Sequence, residues 1–479
     1  MEYYKQKLMK YIHKSDIIEN GILFGGNNDD PLFRDCYIAS SHNTYLEGNQ
    51  VGLTSNSGSN VNCYRNFLMK FRGGCVEIDI GELRKKDDGT DDIIVTHDNA
   101  GTGNIFFSDI MNTINDVYNN LLKEQQPFGP IIISFDHKKT TDASYYNKLG
   151  DIINKSFNVD EMFCKNFDID TTTLSQVRNK ILIKWKCITN VTDDVKQIIN
   201  DISNNTEKSQ SGGTLLINKQ TSNKPNCNLM NNIIAMKNVK SISYDKHRHT
   251  YPTIKSIKQN NQIIKKVIKY NTELYQDAKN KLYVRSYPPG VGFWDLAKSL
   301  ANLVKSDNYP FITMILYGVQ MVALNAQRFD EQMLFMMKFF ETENNKYDCI
   351  RVKPDWLRFN NEKNIDPNDF QSYQITFTKL LSADNYYRHV YNNIDDKFDK
   401  MEDKLVYIMR NVHDFIPYVC IKLINKQSEY NYYAVIDLKK SANQTKIYTF
   451  YQINKKEMSC ENINKQFNTI NMEISINSL

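Results

Sequence analysis

Eight short apolar runs rich in β-branched residues punctuate the first three quarters of the chain, and most are followed at once by a polar or ionisable residue. They are Cys36–Ala39, Cys75–Ile80, Ile93–Thr96, Ile131–Phe135, Ile181–Ile183, Leu282–Val284, Gln320–Leu324 and Cys349–Val352. Runs this short and this branched read as strands rather than helices. Helical spacing lies between several of them. Ser108–Lys123 sets Ile110, Ile114, Val117 and Leu121 on one apolar face, and Phe329–Phe340 is a second candidate. Alternation of strand and helix predicts a (β/α)₈ barrel rather than a sandwich. In that architecture the strand ends and the loops after them form the site. His42, Asp79, His97, Asp136, Lys184, Arg285 and Asn325 all fall at or just beyond their runs.

With 479 residues the chain accommodates this domain and a smaller one. The stretch from Val191 to Tyr270 is irregular, and Asp201–Pro225 is too polar to demand a core, so it reads as a surface insertion. A basic helix is expected over Lys255–Lys269. After Pro367 polar and apolar residues alternate in Tyr373–Phe377, Leu405–Met409, Tyr418–Ile424, Tyr432–Leu438 and Ile447–Tyr451, the pattern of half-buried antiparallel strands in a β-sandwich.

No run of about 18 apolar residues is present, so no transmembrane helix is expected. Met1–Asn20 lacks a signal-peptide core. The nine cysteines form no CxxC pair and read as reduced thiols of an intracellular protein. A net charge of +5 with no basic–aromatic reading motif argues against nucleic acid.

Glu77 and Asp79 are two residues apart, so on a strand they share a face and repel unless a cation intervenes. Asn43 and Asp136 complete an oxygen-rich set suited to Ca²⁺ or Mg²⁺ rather than zinc. Taken alone, two acids at a strand end are more often a solvated pair; the neighbouring motifs shift the balance. His42 and His97 supply one proton acceptor and one donor near neutral pH. Lys184 and Lys186 project to one side of a strand, and Arg285 and Tyr287 repeat that spacing. Fixed cations there favour a phosphate-bearing substrate, and Tyr287 offers a flat surface for a polyol ring.

In combination the motifs resemble eukaryotic phosphoinositide-specific phospholipase C. Ser40-Ser41-His42-Asn43-Thr44-Tyr45-Leu46 with Gly48-Asn49-Gln50 looks like the opening of its catalytic X region. Val76-Glu77-Ile78-Asp79, Thr96-His97, Ile133-Ser134-Phe135-Asp136 and Ile181-Leu182-Ile183-Lys184-Trp185-Lys186 follow in family order. Val284-Arg285-Ser286-Tyr287-Pro288-Pro289-Gly290, Gly318–Asn325 and Val352-Lys353-Pro354 resemble the Y region.

The resemblance covers Phe33–Ile188 and Lys281–Arg358. It implies a distorted TIM barrel assembled from X and Y halves, followed by a C2-like β-sandwich. The implied division is a short N-terminal extension (1–32), an X half (33–190), a polar X/Y linker and lead-in (191–270), a Y half (271–366) and a C2-like domain (367–479). By the same resemblance Asn43, Glu77, Asp79 and Asp136 are calcium ligands. His42 is the phosphate-stabilising histidine, His97 the general acid, and Glu77 also the acceptor of the attacking hydroxyl's proton. Lys184, Lys186 and Arg285 contact inositol phosphates, Tyr287 packs on the ring, and Ser256 is a loose counterpart of a substrate-binding serine. The implied reaction is Ca²⁺-dependent cleavage of phosphatidylinositol 4,5-bisphosphate or a related phosphoinositide to diacylglycerol and inositol phosphate through a cyclic intermediate.

Several positions depart from the family pattern. Asp136 stands where glutamate is usual, Asp98 follows His97 where glycine is common, and His137-Lys138 replaces the usual asparagine–histidine. Ile416 in Phe415-Ile416-Pro417-Tyr418-Val419 replaces an aspartate of the C2 motif, which puts calcium-dependent membrane binding there in doubt. Phe106-Phe107 and Val291-Gly292-Phe293-Trp294 are candidate lipid-facing loops. The expected partners are a phosphoinositide head group and an anionic membrane surface, for a monomer peripheral on the cytosolic face. Two rival readings are a glycerophosphodiester phosphodiesterase and a catalytically inactive phosphoinositide-binding scaffold.

Overall fold

Polar strand ends become a site only if the strands run the same way, and seven of them do. The computed structural model describes residues 30–48, 57–96, 105–137, 143–164, 167–185, 234–237, 284–288, 308, 311–316, 318–342, 346–359, 370–380, 399–401, 404–413, 415–424, 429–454 and 457–479. Its parallel strands are β1 (Ser40–His42), β2 (Gly74–Lys85), β3 (Ile131–His137), β4 (Ile181–Trp185), β5 (Ile234–Lys237), β6 (Arg285–Ser286) and β7 (Met321–Asn325). They lie in the spatial order β5-β4-β3-β2-β1-β7-β6, every neighbouring pair parallel. Each strand from β1 to β5 lies beside the next in sequence, and β7 returns to β1. That is the cyclic order of a TIM-type barrel. The ring is not closed, because among the described residues no hydrogen-bonded pairing joins β5 to β6.

The expected eight-strand set needs three corrections. The first and eighth runs pair with each other, Cys36–Ile38 antiparallel to Ile350–Val352, outside the parallel sheet. Their place beside β7 is taken by Ser40–His42, too polar to read as a strand. The third run, read as Ile93–Thr96, falls in a strand over Asp91–Val95 that is an antiparallel return on the overlong β2. Its turn is tight, with the Lys86 N–H donating to the Thr90 carbonyl at 2.8 Å, whereas a parallel return needs a crossover of a dozen or more residues. Strand β5 falls inside the stretch read as polar linker. The helix expected over Lys255–Lys269 lies outside the described residues.

Helices α1 (Asn62–Phe71), α2 (Phe107–Lys123), α3 (Ala143–Ser156) and α4 (Glu331–Phe340) accompany this sheet. Ile110, Ile114, Val117 and Leu121 of α2 are all fully buried, as their spacing predicts. Phe107, expected in a lipid-facing loop, instead opens α2 and is fully buried, its ring 5.7 Å from that of Phe135. Entry into β2 requires glycine: Gly74 has φ +113°, and a Cβ there would sit 2.7 Å from the Ala39 carbonyl oxygen.

Strands β8 (Phe370–Leu380), β9 (Asp399–Met401), β10 (Lys404–His413), β11 (Tyr418–Ile424), β12 (Tyr430–Asp437), β13 (Gln444–Asn454) and β14 (Thr469–Ser478) form one antiparallel sheet, ordered β9-β10-β8-β14-β13-β12-β11. A β-sandwich is expected here; the described strands make a single hydrogen-bonded path through all seven. Five strands match the expected alternating runs; β14, which alternates buried Ile470, Met472, Ile474 and Ile476 with exposed or half-buried residues, was missed despite having the cleanest pattern.

The two sheets are tied together. Phe415 stacks on Tyr37 with centroids 6.0 Å apart, and Phe329 stacks on Phe467 at 4.9 Å. Cys63 of α1 is disulfide-bonded to Cys460, with their Cα atoms 5.2 Å apart. The expectation that all nine cysteines are reduced thiols therefore fails at this pair. The two lie far apart in sequence, so no spacing rule could have joined them.

Candidate active site

Strand register decides which polar side chains meet. Across β2, β3 and β4, Glu77 sits opposite Ser134 and Ser134 opposite Lys184, while Asp79 sits opposite Asp136. Opposed residues in a parallel sheet share a face, so this face carries two polar layers. On the other side of β2, His42 lies opposite Asn325. The alternate residues Val76, Ile78 and Ile80 go into the apolar core.

Asn43 turns the chain after β1 with φ 43°, a left-handed conformation that asparagine tolerates better than most residues. The turn aims its N–H at Glu77 Oε2, at 3.0 Å, while the Glu77 N–H donates to Thr44 Oγ1, also at 3.0 Å. Glu77 is thus fixed to the Asn43–Thr44 turn by its backbone as well as its side chain. The Tyr45 hydroxyl donates to Asp79 Oδ2 at 2.7 Å and the Tyr64 hydroxyl to the Glu77 carbonyl at 3.0 Å.

Arg285 lies beneath this turn. Its Nη1 is 3.1 Å from Glu77 Oε1, 3.1 Å from Ser134 Oγ and 3.0 Å from the Tyr287 hydroxyl. Its Nη2 donates to the Ser41 carbonyl at 2.7 Å. The side chains of Arg285 and Glu77 are each 2% exposed, so neither charge is solvated and each depends on the other. Burial opposes ionisation of Glu77, but Arg285, His42 and the Asn43 N–H outweigh it and hold the carboxyl below the usual range. Burial likewise pulls His42 down, opposed by Glu77 and the Asn325 contact. His42 Nε2 is 3.8 Å from Glu77 Oε2, and its Nδ1 is 2.8 Å from Asn325 Oδ1.

A hard cation fits this set. Glu77, Asp79 and Asp136 each offer a carboxylate oxygen, and these three atoms lie within 4.8 Å of one another. Oxygens bound at about 2.3–2.6 Å to one Ca²⁺ are at most about 5.2 Å apart. The Asn43 side chain is buried, and its amide nitrogen has no hydrogen-bond partner. A half-turn of that amide exchanges nitrogen for oxygen, so the same position offers a further hard donor.

Of the residues expected from sequence, the structure brings together His42, Asn43, Glu77, Asp79, Asp136, Lys184, Arg285 and Tyr287. Lys184 and Arg285 are 4% and 7% exposed, so they sit beneath the site rather than on its rim. Lys184 Nζ donates to Ser134 Oγ at 3.3 Å. His97, Lys186, Ser256 and the Val291–Trp294 segment lie outside the described residues. The sequence places Asn325 at a strand end without a role, and singles out none of Tyr45, Tyr64 and Ser134 as a site residue. Ser134 was within reach, being two residues before Asp136 and so on the same face.

Comparison with known proteins agrees with this geometry. The model of the phosphatidylinositol-specific phospholipase C X domain matches residues 29–187, and that of the Y domain matches residues 229–347. The Y match begins within the stretch read as linker and includes β5. A 1-phosphatidylinositol 4,5-bisphosphate phosphodiesterase beta of Caenorhabditis elegans, egl-8, is 30% identical over 167 residues, 33% of this chain and 10% of that protein. The crystal structure of PLC21 from S. officinalis superposes with a TM-score of 0.55 at 19% identity, over 95% of this chain and 56% of the other. PLC21 from L. pealei gives 0.55 at 18%, with the same coverage. The chain thus spans about half the length of these solved relatives and a tenth of the curated one. With its X and Y matches together covering more than half of 479 residues, the chain belongs to the phosphatidylinositol-specific phospholipase C family.

Proposed function

We propose that this site cleaves the phosphodiester of a phosphoinositide, phosphatidylinositol 4,5-bisphosphate or a close relative, in a Ca²⁺-dependent reaction that releases diacylglycerol. The observation that carries the reading is the cluster of buried Glu77 and Asp79 with half-buried Asp136, beside His42 and Arg285. Asn43, Glu77, Asp79 and Asp136 would hold the ion. When bound, calcium supplies Lewis acidity, easing ionisation of the attacking hydroxyl and offsetting negative charge on phosphorus.

The chain's own residues do the rest. The inositol 2-hydroxyl attacks phosphorus and Glu77 takes its proton. His42, carrying protons on both ring nitrogens once the phosphodiester is bound, donates from Nε2 to a phosphoryl oxygen, and His97 protonates the departing diacylglycerol oxygen. Water then opens the cyclic inositol phosphate with the acid and base roles reversed. Lys184, Lys186 and Arg285 bind ring phosphates, Ser256 adds a hydroxyl, and Tyr287 packs against the ring. Engagement of Arg285 by a phosphate competes with its pairing to Glu77, so substrate and metal together replace an internal ion pair.

The C-terminal sheet is assigned as a C2-like unit that braces the catalytic sheet. Ile416 is 4% exposed within the catalytic unit's core cluster, and neighbouring Phe415 stacks on Tyr37, which favours bracing over ion binding at that loop. Attachment to an anionic bilayer on the cytosolic face is proposed to use the half-buried Phe106 and the Val291–Trp294 segment.

Product analysis with defined phosphoinositides, in calcium and then in chelator, tests the reading. Release of inositol phosphates only in calcium is the expected result. Turnover of glycerophosphocholine instead, or lipid binding with no product, would overturn it.

A further inference from the structure

His42 lies beside the carboxylate cluster, its Nε2 3.8 Å from Glu77 Oε2, and the reaction proposed above requires one particular nitrogen of its ring to face the phosphodiester. The structure shows what holds the other nitrogen. Nδ1 lies 2.8 Å from Asn325 Oδ1, across the β1–β7 pairing in which these two residues stand opposite each other. Asn325 is fully buried. A carbonyl oxygen can only accept, so the proton of this contact is on Nδ1, and Nε2 is the atom left toward Glu77, 3.8 Å away.

Asn325 is itself held. Its N–H donates to Asn308 Oδ1 at 2.7 Å. The Asn308 amide nitrogen lies 3.2 Å from both carboxylate oxygens of Asp330 and 3.3 Å from the Arg328 carbonyl. Asp330 in turn caps α4 through the Gln332 and Met333 N–H groups. The ring of Tyr287 meets the His42 ring edge-on at 5.9 Å and limits rotation from another direction.

We infer that Asn325 is a positioning residue for the proposed reaction: its side-chain carbonyl fixes the His42 tautomer and ring plane so that Nε2 faces the reacting phosphodiester. An imidazole that takes up its second proton at Nε2 as the phosphodiester binds, and donates from that atom to a phosphoryl oxygen, needs Nδ1 anchored throughout. Orientation of this kind is commonly supplied by a carboxylate. Here three carboxylates, Glu77, Asp79 and Asp136, already crowd the site, and a fourth would add repulsion. A neutral amide supplies the same acceptor without the charge. This inference rests on the catalytic reading of His42, but the tautomer it specifies is measurable without turnover.

The experiment uses the full chain labelled with ring-¹⁵N histidine, the His42 signals being identified by their loss in His42→Gln. The wild type is expected to show a protonated Nδ1 and a bare Nε2 at His42. Asn325→Leu is expected to move His42 toward the Nε2–H tautomer and to lower kcat by about 10²-fold with KM changed less than about twofold. Asn325→Asp, which keeps an acceptor at the same place, is expected to restore the wild-type tautomer and a large part of the lost kcat. A wild-type Nε2–H tautomer, or unchanged His42 signals in Asn325→Leu, would overturn the contact. Equal losses in the leucine and aspartate variants would also overturn the positioning role. If the wild type released no inositol phosphate, the proposed activity would fall while the tautomer measurement still decided the Asn325–His42 contact.

Discussion

The two sheets of this molecule bury different things. In the antiparallel sheet β14 sends Ile470, Met472, Ile474 and Ile476 inward and leaves Thr469, Asn471 and Asn477 exposed. In the parallel sheet the equivalent interior positions at the strand ends hold Glu77, Asp79, Ser134, Lys184, Arg285 and Asn325, all under 9% exposed. Burying apolar groups stabilises a fold by itself, whereas a buried charge costs several kcal/mol unless paired. A protein selected only for stability would fill both sheets the same way. The difference marks where stability has been traded for chemistry, and it can be attacked from either side.

The largest effect is expected at Glu77. Glu77→Gln removes a proposed metal ligand and the counter-charge of Arg285 together, so kcat should fall by about 10³-fold or more. Activity surviving within tenfold would break the comparison at its root. Arg285→Met sharpens it. Without calcium Glu77 is left as a buried charge with its strongest partner gone, and unfolding free energy should drop by about 3–5 kcal/mol. Calcium supplies the missing positive charge, so it should raise Tm more in the variant than in the wild type. Melts in calcium and in chelator measure both; an equal calcium response would remove Glu77 from the ligand set.

The apolar side gives the opposite signature. Ile474→Ala opens a cavity in a fully buried position and should cost about 2–5 kcal/mol, with turnover per folded molecule changed by less than about twofold. A matching loss of kcat would mean the C-terminal sheet shapes the site. Cys460→Ser frees Cys63 and removes the covalent link between the sheets, at an expected cost of about 2–4 kcal/mol in oxidised protein and none in reduced protein.

How much of this was legible in sequence follows the same divide. Local alternation exposed the Glu77/Asp79 face and the apolar face of α2, because both depend only on neighbours in the chain. Strand identity failed where polarity or pairing overrode propensity. Ser40–His42 is a central strand because its hydroxyls and imidazole line the site, and Asp91–Val95 is antiparallel because a short turn leaves no room for a crossover. Contacts set by register were beyond reach: nothing local joins His42 to Asn325, Arg285 to Glu77, or Cys63 to Cys460. The family motifs bring such residues to notice without saying which atoms touch.

The smallest effect comes from the seam between the sheets. Asp330 caps α4, and the next residue, Glu331, lies 3.7 Å from Lys422 of β11. Burial raises the Asp330 pKa to about 6 from an ordinary 3.8, against the lowering pull of Asn308, the Met333 N–H and Arg328. The folded state therefore holds this proton more tightly than the unfolded chain does. Between about pH 4 and pH 6 stability should fall as pH rises, by about 2 kcal/mol from this residue, and level off above its folded pKa. Asparagine caps a helix nearly as well and does not titrate. Asp330→Asn should therefore flatten that part of the stability–pH curve and match or exceed the wild type at pH 7. Chemical denaturation of both proteins at pH 4.5 and pH 7 measures the difference. Parallel curves would show that the carboxylate is as well solvated in the folded seam as in the unfolded chain, and the seam would then belong with the wet surface rather than with either interior.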